Sequence, residues 1–359
     1  MYNLSKGGIF MVESYFKTRD DDNILKLRKL RRELPSFCSE YFMGIEPYTT
    51  PLTRLGYARD IKIFFQFLTW EIPEFSNKEI TDLTLEDLDK ITATHIEYFM
   101  EYLNLYIYQG KKIHNGERAR NRKLSSVRSL LKYFFKKDKI KSNIASKIDT
   151  PKIHDKEIIR LEVDEVVKLL DQSEDGDKLT RMQKGFHKHT KNRDFAMLSL
   201  FLGTGIRISE CVGLNIEDID FTQNAFRITR KGGNQVVLYF NDEVAEALKI
   251  YMNERLDNEK VSPDEHALFL SLQNRRITVR AVENLVKKYS QIVTPLKHIT
   301  PHKLRSTFGT NLYRETNDIY IVADVLGHKD VNTTRKHYAA ISEDIRRNAA
   351  NVIKLRKDE

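Results

Sequence analysis

The sequence predicts a mainly α protein with a small β-sheet, arranged as two domains: an α-helical one over residues 1–150 and a mixed α/β one over residues 151–359. Three observations carry this expectation. Apolar residues recur at helical spacing through most of the chain. Two alternating segments, Ala225 to Arg230 and Gln235 to Phe240, flank Lys231-Gly-Gly-Asn234, which is the pattern of a β-hairpin. Between the two halves, Asn143 to Ile153 is rich in Ser, Asn, Lys and Asp, contains Pro151 and has little apolar content, so it reads as a linker.

Taken in order, Glu13 to Phe42 reads as a mixed helical opening, closed by Pro47 and Pro51. Thr53 to Trp70 places Leu55, Ile61, Phe64, Phe65 and Leu68 on one helical stripe, and Pro73 stops it. Thr84-Leu-Glu-Asp87 is a capping box that opens another helix. His95 to Tyr106 has helical spacing, and Gly110 to Gly116 reads as a loop. Glu117 to Lys136 alternates basic residues with Leu124, Val127, Leu130, Leu131, Phe134 and Phe135, giving one apolar and one basic face. In the second half Leu161 to Leu170 is expected as a helix, 171–191 as a polar insertion in loop or frayed-helix form, and Asn192 to Phe201 as a buried helix. Helices follow over Asp242 to Leu256, Arg276 to Tyr289, Pro301 to Tyr313 and Tyr320 to Leu326.

Composition narrows the function. Charged residues make up 31% and hydrophobic ones 40%, as in soluble globular proteins. No run approaches the ~18–20 apolar residues of a membrane span, and the longest, Phe195 to Leu202, is far shorter. No secretory signal is read at the N-terminus, where Met1 and Met11 are both possible starts, so the expected location is the cytoplasm. Cys38 and Cys211 lie far apart and outside any CxxC pair, which argues against a disulfide scaffold or a zinc site. His187 and His189 have no Cys partner and no i, i+4 spacing, so no metal is expected there either. The net charge is +9, and residues 101–150 hold 13 Lys or Arg against 4 Asp or Glu. A basic block of that density fits either a solvated helix face or a polyanionic partner. Arg118, Arg120, Arg122, Lys123, Arg128 and Lys132 are its candidates for contact with DNA.

Three separated segments carry chemistry: Gly203-Thr-Gly-Ile-Arg207-Ile-Ser-Glu210, Thr300-Pro-His302-Lys-Leu-Arg305, and Leu326-Gly-His328 leading to Tyr338. Phosphoryl transfer spreads negative charge over phosphate oxygens, and arginine forks suit it because they stay charged and bind two oxygens at once. A nucleophile must sit in line, and a proton donor must help the leaving oxygen depart. Arg207, Arg305, His302, His328, Lys231 and Tyr338 provide that inventory. His302 and Arg305 at i, i+3 share a helix face, and Glu210, three residues after Arg207, is placed to orient it. Taken singly, each residue has a plainer reading as a surface, packing or loop residue; their joint order and spacing do not.

The pattern Arg207, Lys231, His302-x-x-Arg305, Leu-Gly-His328, Tyr338 resembles the active-site signature of the tyrosine recombinases and phage or transposon integrases, over about Asn192 to Ile353. More narrowly, the long insert before Arg207 and the Thr229-Arg-Lys-Gly-Gly233 turn are similar to the single-protein Xer recombinases of the XerS kind and related integrases of Firmicutes. The resemblance implies a helical core-binding domain and a catalytic domain ending in a tail helix, about Ile341 to Leu355. It implies that Tyr338 attacks the scissile phosphate to form a 3′-phosphotyrosine, with Arg207 and Arg305 stabilising the phosphorane. Lys231 would protonate the leaving 5′-oxygen, His302 would assist proton transfer on the tyrosine, and His328 would pack against or hydrogen-bond the phosphate. Ser306 departs from the second His that many members carry there, and Tyr313 lacks the ten-residue spacing after His328 that Tyr338 has. No metal, nucleotide or other cofactor is implied. The implied partners are double-stranded DNA with inverted half-sites, further copies of the chain in a tetramer on two sites, and a DNA translocase of the FtsK type. The competing readings are a DNA-binding accessory protein without catalysis and a type IB topoisomerase.

Overall fold

The computed structural model describes residues 15–108, 110–149, 159–230, 233–328 and 330–331. The chain divides into two compact units, Met1–Lys156 and Glu157–Glu359.

The first unit contains α1 (Tyr15–Arg31), α2 (Cys38–Gly44), α3 (Pro51–Glu71), α4 (Leu85–Asp89), α5 (Ala93–Tyr102), β1 (Leu105–Tyr108), β2 (Lys111–His114) and α6 (Glu117–Lys136). Helix α3 is its axis. Thr50 caps it by accepting from the Thr53 N–H at 3.2 Å, and Pro51 occupies the first turn, where its missing N–H costs nothing. Phe64, Phe65 and Phe67 on α3 are fully buried or nearly so. They meet Phe37, Phe99 and Tyr102 through ring contacts of 5.0–6.0 Å. Burying each such ring contributes about 1.5–3 kcal/mol. Asp60, also buried on α3, accepts from Ser126 at 2.9 Å and pairs with Arg122, which ties α3 to α6.

One expectation fails here. Helical spacing suggests a helix through Tyr106 and a loop after Gly110, but α5 ends at Tyr102 and residues 105–114 form an antiparallel hairpin. Gly110 at the turn has φ +73°, where a side chain is disfavoured. Tyr106 faces inward at 6% exposure opposite Ile113 and stacks on Tyr102 at 5.4 Å. Leu-Tyr-Ile-Tyr is too short to separate strand from helix by period, and its pairing with Lys-Lys-Ile-His decides the matter.

The second unit contains α7 (Val163–Asp175), α8 (Arg181–His187), α9 (Lys191–Thr204), α10 (Ile208–Gly213), β3 (Ile219–Asp220), β4 (Ala225–Thr229), β5 (Gln235–Tyr239), α11 (Asp242–Leu256), α12 (Val279–Val293), α13 (Pro301–Thr316) and α14 (Ile319–Leu326). Helix α9, buried on nearly every side, packs against α7, α11 and α13. The hairpin β4–β5 pairs Phe226 with Leu238 and gains β3 as a third antiparallel strand. The insertion at 171–191 is more ordered than its polarity suggests. Thr180 and Gln183 cap α8 reciprocally, and buried His187 lies 3.1 Å from the Tyr289 hydroxyl on α12. Tyr289 in turn donates to Asp194 on α9, which is 1% exposed and also paired with Arg193 and Lys288. The insert is therefore pinned to the core through a polar network. Among the described residues no helix is long and apolar enough to cross a membrane.

Candidate active site

The site is assembled on the C-terminal end of α14. Gly327, in the left-handed conformation at φ +61°, closes that helix. Its N–H donates to Asp324 O at 2.8 Å, and the His328 N–H reaches Ala323 O at 2.9 Å, a Schellman cap. Those two bonds satisfy two of the four carbonyls that a helix leaves open at its end. The remaining carbonyls, Val325 and Leu326, together with that of Gly327, accept from arginines. Arg230 donates to Val325 O at 3.0 Å, and Arg207 donates to Leu326 O and Gly327 O at 3.2 Å each. Arg305 also donates to Leu326 O. Three cations at one helix C-terminus are favourably placed against its dipole.

Arg207 stands just before α10, where the chain leaves α9 through Gly205. Gly205 has φ +63°, and a Cβ there would run into Phe308 of α13 and Leu326 of α14, so only glycine brings the three segments this close. Glu210, 5% exposed, accepts from the Arg207 backbone N–H and from its guanidinium, both at 2.9 Å. Arg207 is thereby fixed while 37% of its side chain stays open to solvent. Arg305 comes from the second turn of α13 and is 5% exposed; besides Leu326 O it donates to Gly205 O. Two guanidiniums from distant segments thus share one acceptor. That is the convergence needed to hold two oxygens of a single phosphate.

His302 lies on the first turn of α13, exposed and three residues ahead of Arg305. His328 is half-buried on the capping turn itself. Lys231, Tyr338 and the expected tail helix lie outside the described residues. Arg230 was not singled out in the sequence; its one signal there was its place beside Lys231. Among the described residues no group of His, Cys, Asp and Glu could hold a metal ion.

The six basic candidates of α6 belong to the other unit, and they divide. Arg118, Arg122 and Lys132 are exposed along one stripe, Arg122 while also paired with Asp60 of α3. Arg120 is partly covered and donates to Asn104 at 2.7 Å. Arg128 is engaged with the carbonyls of Ala145 and Ile148. Lys123 does not stand on the basic face: it is 6% exposed, and its ammonium donates to Asn115 at 2.9 Å. Burial pushes its pKa down, with Asp60 opposing.

Residues 160–344 match the phage integrase family. The chain is 33% identical over 321 residues to the tyrosine recombinase XerC of Caldanaerobacter subterraneus, covering 87% of this chain and 84% of that one. It is 28% identical to the tyrosine recombinase XerS of Lactococcus lactis, covering 89% and 96%. Among solved structures it resembles the XerH site-specific recombinase bound to palindromic difH substrate, with TM-score 0.61, 19% identity and 84% and 80% coverage. It also resembles the Tn1549 transposon integrase in complex with a circular intermediate DNA, with TM-score 0.61, 17% identity and 86% and 98% coverage.

Proposed function

The chain belongs to the phage integrase family, as a tyrosine recombinase that breaks and rejoins DNA at specific sites, and from that premise we propose how its residues divide the work. Tyr338 attacks the scissile phosphorus through its phenolic oxygen and gives up its proton, assisted by His302. The bond to the 5′-oxygen breaks, and Lys231 supplies the proton that this oxygen takes up. Arg207, held by Glu210, and Arg305 bind the oxygens whose charge grows in the transition state, and His328 contacts the same phosphate. The resulting 3′-phosphotyrosine keeps the bond energy until a 5′-hydroxyl from another strand attacks it.

One observation carries this reading: the two arginines meet at a single acceptor, Leu326 O, beside the turn that bears His328. In the helical unit, the stripe of Arg118, Arg122 and Lys132 on α6 is the face offered to DNA phosphates, with Arg120 and Arg128 at its margin. The DNA partner carries inverted half-sites, and four copies of the chain act on two such sites in the cytoplasm, served by a translocase of the FtsK type when the substrate is a chromosome dimer. Integration or excision of a mobile element uses the same chemistry.

The test is a duplex nicked close to the cleavage position, so that the freed fragment diffuses away and the covalent adduct accumulates. A band of reduced mobility on a denaturing gel is expected for the native chain and none for Tyr338→Phe, with DNA affinity kept. An adduct that survives this substitution overturns the assignment of the nucleophile.

A further inference from the structure

Arg230 ends the β4–β5 hairpin on its β4 side, one residue before Lys231. Its backbone closes the turn: the N–H donates to Asn234 O at 2.8 Å, and its carbonyl accepts from Gly233 N–H at 3.1 Å. Its side chain crosses to α14, where Nη2 donates to Val325 O at 3.0 Å. The guanidinium occupies the space that a Cβ on Gly327 would take. Burial, opposed by the nearby charge of Glu210, pushes the arginine pKa down, and Arg207 adds to that downward push. One residue is therefore fixed at both ends, by the hairpin turn and by the helix end that Arg207 and Arg305 also hold.

We propose that Arg230 is a positioning residue for the proton-donation step: it ties the end of β4 to the α14 cap that Arg207 and Arg305 also hold, and the next residue in the chain, Lys231, depends on that anchor. This rests on the reading of Lys231 as proton donor to the leaving 5′-oxygen. The α14 end is the common reference: Arg207 and Arg305 are measured from Leu326 O, and Arg230 is measured from the carbonyl just before it. A plain cap for Val325 O would need only one donor from any polar side chain. Filling the space beside Gly327 as well gives the end of β4 a second contact with the same cap.

The consequence is specific to one chemical step. A leaving oxygen needs a proton, whereas a leaving sulfur departs as a thiolate without one. Two nicked substrates, one with the ordinary bridging 5′-oxygen and one with sulfur in its place, separate a fault in proton donation from a general fault. Arg230→Met should form adduct ~10- to 100-fold more slowly on the oxygen substrate, as expected for misplacing a general acid. On the sulfur substrate it should match the native chain, and DNA affinity should be unchanged. Arg230→Gln, which keeps one N–H for Val325 O, should recover part of the loss. It also carries the comparison if thermal unfolding shows the Met variant unfolded. Equal slowing on both substrates, or no slowing on the oxygen one, overturns the proposal. Lys231→Ala run alongside separates the two failures. If sulfur restores Lys231→Ala and not Arg230→Met, only the positioning role is lost. If sulfur restores neither, the proton-donor reading fails and this inference falls with it.

Discussion

Glu210 holds Arg207 by two bonds, one to its backbone and one to its guanidinium, so its charge fixes both where the residue starts and where it ends. Glu210→Gln keeps the shape and removes the charge. With Arg207 partly open to solvent, the expected loss of stability is only about 1–2 kcal/mol by denaturant unfolding. Adduct formation should fall by more, ~10- to 100-fold, because a displaced fork no longer meets the phosphate in its productive geometry. Gly205→Ala should cost about 2–3 kcal/mol by the same unfolding measurement. A left-handed residue there gains a Cβ that meets Phe308 and Leu326. At this scale the sequence was informative about donors: Arg207, Glu210 and Arg305 are residue types whose chemistry can be named in advance. It was silent about acceptors, because the carbonyls of Val325, Leu326 and Gly327 carry no mark of residue type. Arg230 went unnoticed for that reason: its partner is a backbone oxygen ninety-five residues away.

Short elements depend on caps, and α4 depends on Asp87. That carboxylate accepts from Thr84 N–H at 3.0 Å and pairs with Lys78 and Lys90. Burial works to raise its pKa, but Lys78, the Thr84 N–H and Lys90 together outweigh it and hold the value at about 2. The folded value lies below the ordinary one near ~3.9, so its contribution is complete above about pH 4 and lost as pH falls toward 2. Urea unfolding between those limits should show the native chain losing on the order of 1–2 kcal/mol more than Asp87→Asn over the same range. The capping box at Thr84 was legible because it is written in adjacent residues. So was the β4–β5 hairpin, whose two alternating strands flank glycines. The hairpin at 105–114 and helix α8 were not. The first is decided by pairing between two four-residue segments, and the second by burying His187 against Tyr289, about a hundred residues on. Neither long-range partner shows in a local window.

At the scale of the whole chain, the excess charge and its placement govern the encounter with DNA. The exposed basic stripe of α6 and a net charge of +9 predict binding dominated by phosphate contacts. Affinity should fall by roughly 10³-fold or more between about 50 and 200 mM salt if six or more phosphates are engaged. Arg118→Ala or Lys132→Ala should lower the slope of log affinity against log salt by ~1, alike on specific and nonspecific duplexes. Lys123→Ala should leave the slope unchanged and act on folding, since its ammonium is buried against Asn115. The basic block was legible as a count. Which of its members face outward was not, because that depends on how α6 rolls against α3 through Asp60.

The central claim is that Arg207 and Arg305 act on the charge of one scissile phosphate. The direct measurement is adduct formation by Arg207→Ala and Arg305→Ala on two substrates: the ordinary nicked duplex, and one whose scissile phosphate is replaced by an uncharged methylphosphonate. Each variant should fall far behind the native chain on the first and recover most of that deficit on the second, where there is less charge to neutralise. An equal deficit on both would mean that the arginines serve the fold and not the phosphate.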